Sequence, residues 1–339
     1  MDDVRPRRTG KSWWLVVGLM VGLLGCERQD ARVLVGQPAR PYHLELTLEP
    51  AAPRAGQETQ LRFRLLDAAG GQALSPLQIL HERALHTFIV SHDLRVFAHT
   101  HHEDFFPLTD QDLRAASFHF PHVFPTAGEY MIVSEFTHKD RSWLKQFRVP
   151  VSGAGAPEDA AGDEPDLSRD KAFGPYRVSL RSSPDPPVAG HEVELVCVFS
   201  RDGTPVTDLG LYLGTEVHMA SWRQDGEHFG HQHTYTPRMA ALMNSMRTMA
   251  DDPGHTAEMA ARMNRMMVEL MSGPASQVYT GPELPVHHVF PTAGLYKLFF
   301  ETAPGGERLV ADFIVRVVDY AEGRDTRIES IVALDGADS

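Results

Sequence analysis

The heptapeptide HVFPTAG occurs twice, at residues 122–128 and 288–294, and each copy runs on into Gly-x-Tyr, ending at Tyr130 and Tyr296. Nothing else constrains the chain as tightly, because such a repeat implies one folding unit laid down twice. The two units also open alike, with YHLELTLEPAAPRAG from Tyr42 and YRVSLRSSPDPPVAG from Tyr176. Between them lies VSGAGAPEDAAGDEPDLSRDKA, residues 151–172, a stretch rich in Gly, Ala, Pro and acid that reads as a solvated linker.

Within each unit, short runs such as QLRFRLL and EVELVCVF alternate apolar with polar side chains, the period of a half-buried strand. Turn signals recur every ten or so residues, and Gly-x-Tyr after a strand matches the tyrosine corner of immunoglobulin-like sandwiches. The expected fold is all-β: two tandem immunoglobulin-like β-sandwiches, domain 1 over 41–151 and domain 2 over 173–320. The linker between them is placed at 152–172 and a C-terminal tail at 321–339.

Shifted by 132 positions, residues 86–101 align with 218–233 without a gap. Five of the sixteen positions agree, and three of those are histidine: His86/His218, His99/His231 and His101/His233. Packing positions drift meanwhile, Ile89 to Ser221 and Val96 to His228. Asp225-Gly226 is a strong hairpin signal. A turn there, and at Asp93-Leu94, sets 218 opposite 233 and 86 opposite 101. Alternation adds His99 or His231 to the same face. Three imidazoles thus converge on one side of each hairpin, within the bite of one ion. His122 and His288 are candidate fourth ligands, and Asp93 and Asp225 are turn formers. Neutral imidazole suits Zn, Cu, Ni or Fe. The competing account is that these histidines only hydrogen-bond a loop.

The second unit is 34 residues longer between its His-x-His and HVFPTAG. The extra segment, MAALMNSMRTMADDPGHTAEMAARMNRMMVELMSG, holds nine of the chain's thirteen methionines. It reads as an inserted helical hairpin within 238–272, its helices at about 238–250 and 256–271. Met239, Met243 and Met246 fall on one helical face, as do Met259, Met263 and Met266. Thioether is a soft ligand that selects Cu(I). The same stripe is equally suited to plain packing or to a partner-binding groove.

The N-terminus begins with Arg5, Arg7, Arg8 and Lys11, followed by the apolar run WWLVVGLMVGLLG and then Cys26. This is the layout of a signal peptide (1–25) ending in a lipobox, with Cys26 lipidated and residues 26–40 as a tether. The expected location is an exported lipoprotein on the outer membrane or a periplasm-facing membrane anchor. Net charge is −13, which disfavours nucleic acid as a partner. Cys197 is then the only other cysteine, so no intrachain disulfide is expected. It has no ligand-like neighbours, which sets aside blue-copper chemistry.

The paired pattern H…D…F-x-H-x-H…HVFPTAGxY resembles exported bacterial proteins with YtkA-like or FixH-like immunoglobulin folds of the heavy-metal, chiefly copper, handling type. That resemblance implies metal roles for His86, His99 and His101 and for His218, His231 and His233. The Met-rich insertion departs from it. The reading that follows is a lipid-anchored cell-envelope metal-binding protein acting as copper chaperone, buffer or sensor. Its cofactor is copper, Cu(I) or Cu(II), or else zinc, and an envelope protein would be its partner in metal transfer. A metal-free adhesion or assembly lipoprotein is one alternative. A copper or zinc enzyme is the other, although no hydrolase, phosphate-loop or paired-carboxylate motif is present.

Overall fold

In the computed structural model, residues 42–320 are described, except 69, 80–82, 140, 155–163, 208, 211, 214 and 235–281. The signal peptide, the tether, Cys26, the C-terminal tail and the Met-rich segment with Met239, Met243, Met246, Met259, Met263 and Met266 lie outside the described residues. Among the described residues no helix is long and apolar enough to cross a membrane.

The first unit is a seven-stranded sandwich. Its strands are β1 (Tyr42–Glu49), β2 (Glu58–Asp67), β3 (His86–Ser91), β4 (Phe97–Thr100), β5 (Ser117–Val123), β6 (Gly128–His138) and β7 (Arg141–Val151), with a short helix α1 (Asp110–Ala115) before β5. One sheet runs β1-β2-β5 and the other β4-β3-β6-β7, all antiparallel. Leu44, Leu61, Phe63, Phe118, Phe120, Ile132 and Phe136 close the core between them.

The second unit repeats this plan. Its strands are β8 (Asp170–Phe173), β9 (Tyr176–Ser183), β10 (Glu192–Arg201), β11 (Thr204–Pro205), β12 (Leu209–Gly210), β13 (His218–Arg223), β14 (Phe229–His233), β15 (Glu283–Val289), β16 (Gly294–Pro304) and β17 (Leu309–Val317). β8 to β11 and β15 make one sheet; β12, β13, β14, β16 and β17 make the other. β8 begins inside the stretch expected as linker, where Asp170–Phe173 adds an edge strand to β9. The chain is therefore all-β, two tandem immunoglobulin-like sandwiches. Both tyrosine corners form: Tyr130 Oη donates to Thr126 O and Tyr296 Oη to Thr292 O, each at 3.0 Å. Cys197 sits fully buried in the second core, and burial raises its thiol well above the ordinary range.

Both hairpins form in the expected register. His218 pairs with His233, Phe88 with His99, and Ser91 N donates to Val96 O. The tip residues Leu94 and Gly226 are both left-handed, φ +57° and +73°. Glycine does this freely. Leucine strains by about 1 kcal/mol, and Leu94 offsets that by being almost entirely buried.

What buries Leu94 is the other sandwich. Every residue of β3 is buried, on both faces, as in a strand covered from two sides. Ile89 faces its own core, whereas Phe88, Val90, Leu94, Met131 and Val133 pack against Ala220, Trp222 and Phe299 of the second unit. Phe97 stacks on Phe299 with centroids 4.2 Å apart and planes 7° from parallel. The outer face of each β3-type sheet is thus a third, interdomain core. Truncating Trp222, which is fully buried there, tests it. Trp222→Ala is expected to cost about 3–5 kcal/mol in denaturant unfolding, and small-angle scattering should report a larger radius of gyration with strand content unchanged.

Candidate metal centre

β3 and β6 run side by side with His86 opposite Glu135, Phe88 opposite Val133 and Val90 opposite Met131. Strand alternation puts all six residues on the interdomain face. That face is apolar towards the hairpin tip and polar at its other end. In the second unit His218 lies opposite Glu301 and Ala220 opposite Phe299, the same plan.

At the polar end His86, His99 and His101 converge, and so do His218, His231 and His233. In each set three ligand atoms lie within 4.8 Å of one another. His86 Nδ1 is 3.3 Å from His99 Nε2 and 3.1 Å from His101 Nε2, and the two Nε2 atoms are 3.0 Å apart. A tetrahedral ion about 2.0–2.1 Å from each nitrogen would hold them about 3.3 Å apart. The second set superposes on this in its own terms. Ring-centroid separations are 5.5, 4.9 and 4.4 Å in the first and 5.6, 4.6 and 4.4 Å in the second.

The outward nitrogens decide the protonation. In the second set His218 Nε2 donates to Tyr212 O at 2.9 Å, and His231 Nδ1 donates to Glu135 Oε2 at 2.8 Å. A carbonyl and a carboxylate only accept. The inward nitrogens, His218 Nδ1 and His231 Nε2, face each other at 3.3 Å. In the first set His99 Nδ1 lies 2.6 Å from Glu301 Oε2 and His101 Nδ1 2.9 Å from Asp104 Oδ2, and the two Nε2 atoms face each other at 3.0 Å. Nitrogens gathered this closely are within reach of a single cation. A carbonyl or carboxylate behind each ligand is the customary outer shell of a metal-binding histidine.

Burial favours the neutral form of His99 and His101, the form a metal takes. His99 is held well below its ordinary range, by burial foremost and then by His101, His218, His86 and His231. Burial lowers His101 too, against the pull of Asp104. Glu301 is pushed up to about 7 by burial, opposed by Arg308, whose Nε and Nη2 donate to its other oxygen at 2.8 and 2.5 Å.

The two sets face each other. Rings of His86 and His99 stand 5.5–6.4 Å from those of His218 and His231, centroid to centroid. The carboxylates cross the boundary: Glu301 of the second unit holds His99 of the first, and Glu135 of the first holds His231 of the second. A cavity of about 560 Å³ lined by Glu135, His231, His287 and His288 borders the second set.

His122 and His288 do not join. Both are on strands of the opposite sheet, paired to Thr59 and Val193, and neither belongs to a ligand set. His288 Nε2 lies 3.3 Å from Ser221 Oγ, and a Cβ on Gly230 would collide with its ring. Ser221 and Gly230 alternate with Ala220 and His231, so they face the sandwich interior while the ligands face the other domain. The structure therefore does not bring His122 or His288 into the groups formed by the expected ligands. His102, third imidazole of the same run, turns away to accept from or donate to the backbone of His119. Asp93 and Asp225 do cap their turns, accepting from Arg95 N at 3.1 Å and Glu227 N at 3.0 Å. Glu135 and Glu301 were not anticipated. Their signal was a shared offset of 166, the offset of Tyr130 and Tyr296, on the face of Met131 and Val133.

These features define a class: a tandem immunoglobulin-like protein whose two domains meet over paired trihistidine sets that could hold metal. The chain belongs to the family described as Domain of unknown function (DUF8832), whose model matches it twice, over residues 40–153 and 171–319. No curated protein matches it. Among solved structures it is similar to the Escherichia coli adhesin FdeC, at 11% identity and TM-score 0.24 over 83% of this chain and 66% of that one. It is also similar to a putative membrane anchored protein from Corynebacterium diphtheriae, at 11% identity and TM-score 0.22 over 83% and 58%. A third is native Escherichia coli alpha-2-macroglobulin, at 13% identity and TM-score 0.23 over 84% and 15%. Likeness at these scores carries nothing about function.

Burial without a partner for the charged form pushes both His122 and His288 down to about 4. An imidazole lowered in the folded state takes its proton first when unfolded. Stability is therefore present above the ordinary value near 6.5 and is lost as pH falls from there towards 4. For His288, 6% exposed, the loss is about 3 kcal/mol. Denaturant unfolding at pH 7 and pH 4 is expected to show it, and His288→Gln to remove that share of the acid sensitivity.

Proposed function

We propose that this is an exported, lipid-anchored protein of the cell envelope that binds transition-metal ions, copper foremost, as chaperone, buffer or sensor. The observation that carries the metal reading is the convergence of three imidazole nitrogens in each set within 4.8 Å of one another, His99 and His101 at 3.0 Å and His218 and His231 at 3.3 Å. An all-imidazole donor set suits copper or zinc and gives calcium or magnesium nothing to bind. Copper is preferred over zinc because the methionine-dense segment follows His233 directly in the chain and offers soft thioethers. The resemblance to YtkA-like and FixH-like proteins points the same way. Export and anchoring rest on the basic, apolar and cysteine-terminated order of residues 5–26.

Bound metal would be ligated by His86, His99 and His101 in one domain and by His218, His231 and His233 in the other. Glu301, Asp104, Glu135 and the carbonyl of Tyr212 would fix the ring orientations. Metal content of a soluble chain starting at residue 27 tests the reading. The wild type is expected to hold two ions, His99→Ala/His101→Ala and His231→Ala/His233→Ala one each, and the fourfold variant none. Cu(I) affinity should fall on deletion of 239–272 while zinc affinity does not. Stoichiometry indifferent to all of these variants would leave a metal-free adhesion or assembly lipoprotein, and redox turnover of an added substrate would point to an enzyme.

A further inference from the structure

Resting on that metal reading, we propose that the two sites are built crosswise: each domain supplies the positioning carboxylate for the other domain's ligands, so neither site is complete within its own sandwich. The evidence is geometric. Glu301 stands opposite His218 in the β13–β16 ladder, yet its Oε2 reaches across to His99 Nδ1, at 2.6 Å. Glu135 stands opposite His86 in the β3–β6 ladder, yet its Oε2 reaches His231 Nδ1, at 2.8 Å. The offset between the two glutamates is the one that relates the two tyrosine corners. The exchange thus follows the approximate twofold relation of the halves and is not a stray contact.

The chemistry of the exchange is specific. A carboxylate behind an imidazole fixes the tautomer, aims the inward nitrogen and makes it a stronger donor to a cation. Here that effect crosses a domain boundary that Phe88, Val90, Met131, Trp222 and Phe299 hold closed. Two other supports stay at home: Asp104 behind His101 and the Tyr212 carbonyl behind His218. Each site therefore has a borrowed ligand support, the carboxyl group behind the first histidine of the His-x-His pair. The two glutamates also differ in setting. Glu301 is nearly inaccessible and braced by Arg308, whereas Glu135 borders the cavity beside His231.

The test isolates one site at a time in the full chain starting at residue 27, with Zn(II) as titrant against a competing chelator and Co(II) as spectroscopic probe. In the His231→Ala/His233→Ala background, only the first set remains. Glu301→Gln is expected to weaken that site roughly 10–100-fold and to shift the Co(II) ligand-field bands, while Glu135→Gln weakens it far less. In the His99→Ala/His101→Ala background the order reverses, with Glu135→Gln the damaging change. Glu301→Asp and Glu135→Asp, which keep the charge, should recover part of the loss. Because Glu301 is buried with Arg308 and its substitution risks the fold, the Glu135 arm, at the cavity edge, decides by itself. If each glutamine variant damages the site of its own domain, or neither damages any, the crossed arrangement is overturned. A wild type that takes up no Zn(II) or Co(II) would instead overturn the metal reading beneath it.

Discussion

The contact on which the rest depends is the packing of Trp222 and Phe299 against Phe88, Val90 and Met131. Without it each sandwich would present a sheet face with large apolar side chains at one end and three inward-aimed imidazoles at the other. Burying the apolar end drives the faces together, since removing such surface from water is the dominant favourable term in association. The polar end is then carried into the same dry interface. There burial disfavours the protonated forms of His99 and His101. The grouping of the two histidine sets follows from where the sheets meet, not from the histidines alone.

Duplication explains why one interface holds two similar sets. The same strand alternation that places Phe88 and Val90 outward places His86 outward as well, because all three share a parity. Once a copy of that face meets its twin about an approximate twofold axis, any side chain long enough to cross finds the counterpart of its own neighbour. Glu135 and Glu301 are such side chains. The halves have since diverged at the hinge of the hairpin, Leu94 against Gly226. A Cβ on Gly226 would run into the Met131 sulfur, so the second tip must stay small where the first is bulky.

Much of this was legible in the sequence. HVFPTAG with its following tyrosine announced the repeat and both tyrosine corners. Asp225-Gly226 fixed a register in which His218 faces His233. Period-two reasoning then grouped each histidine triplet correctly. The same reasoning could have excluded His288 from the triplet, had its own strand been assigned to the opposite sheet. That assignment depends on which strands pair across long stretches of chain, and local pattern does not carry it. The interdomain core was invisible for a related reason. In β3, HTFIVS lacks the polar alternation of an exposed face, which states only that both sides are covered, not by what. Glu135 and Glu301 read as solvated charges inside apolar strands until a partner domain was there to receive them.

Fusing both halves into one polypeptide has a consequence for dilution. A paired site formed by two separate subunits falls apart as concentration drops below the dissociation constant of the dimer. Here the chain between β7 and β8 keeps the partner face always at hand, at a local concentration set by covalent connection and not by expression level. The interface can therefore be modest in strength and still remain assembled in a single isolated molecule. It can also open and reclose without ever losing its mate.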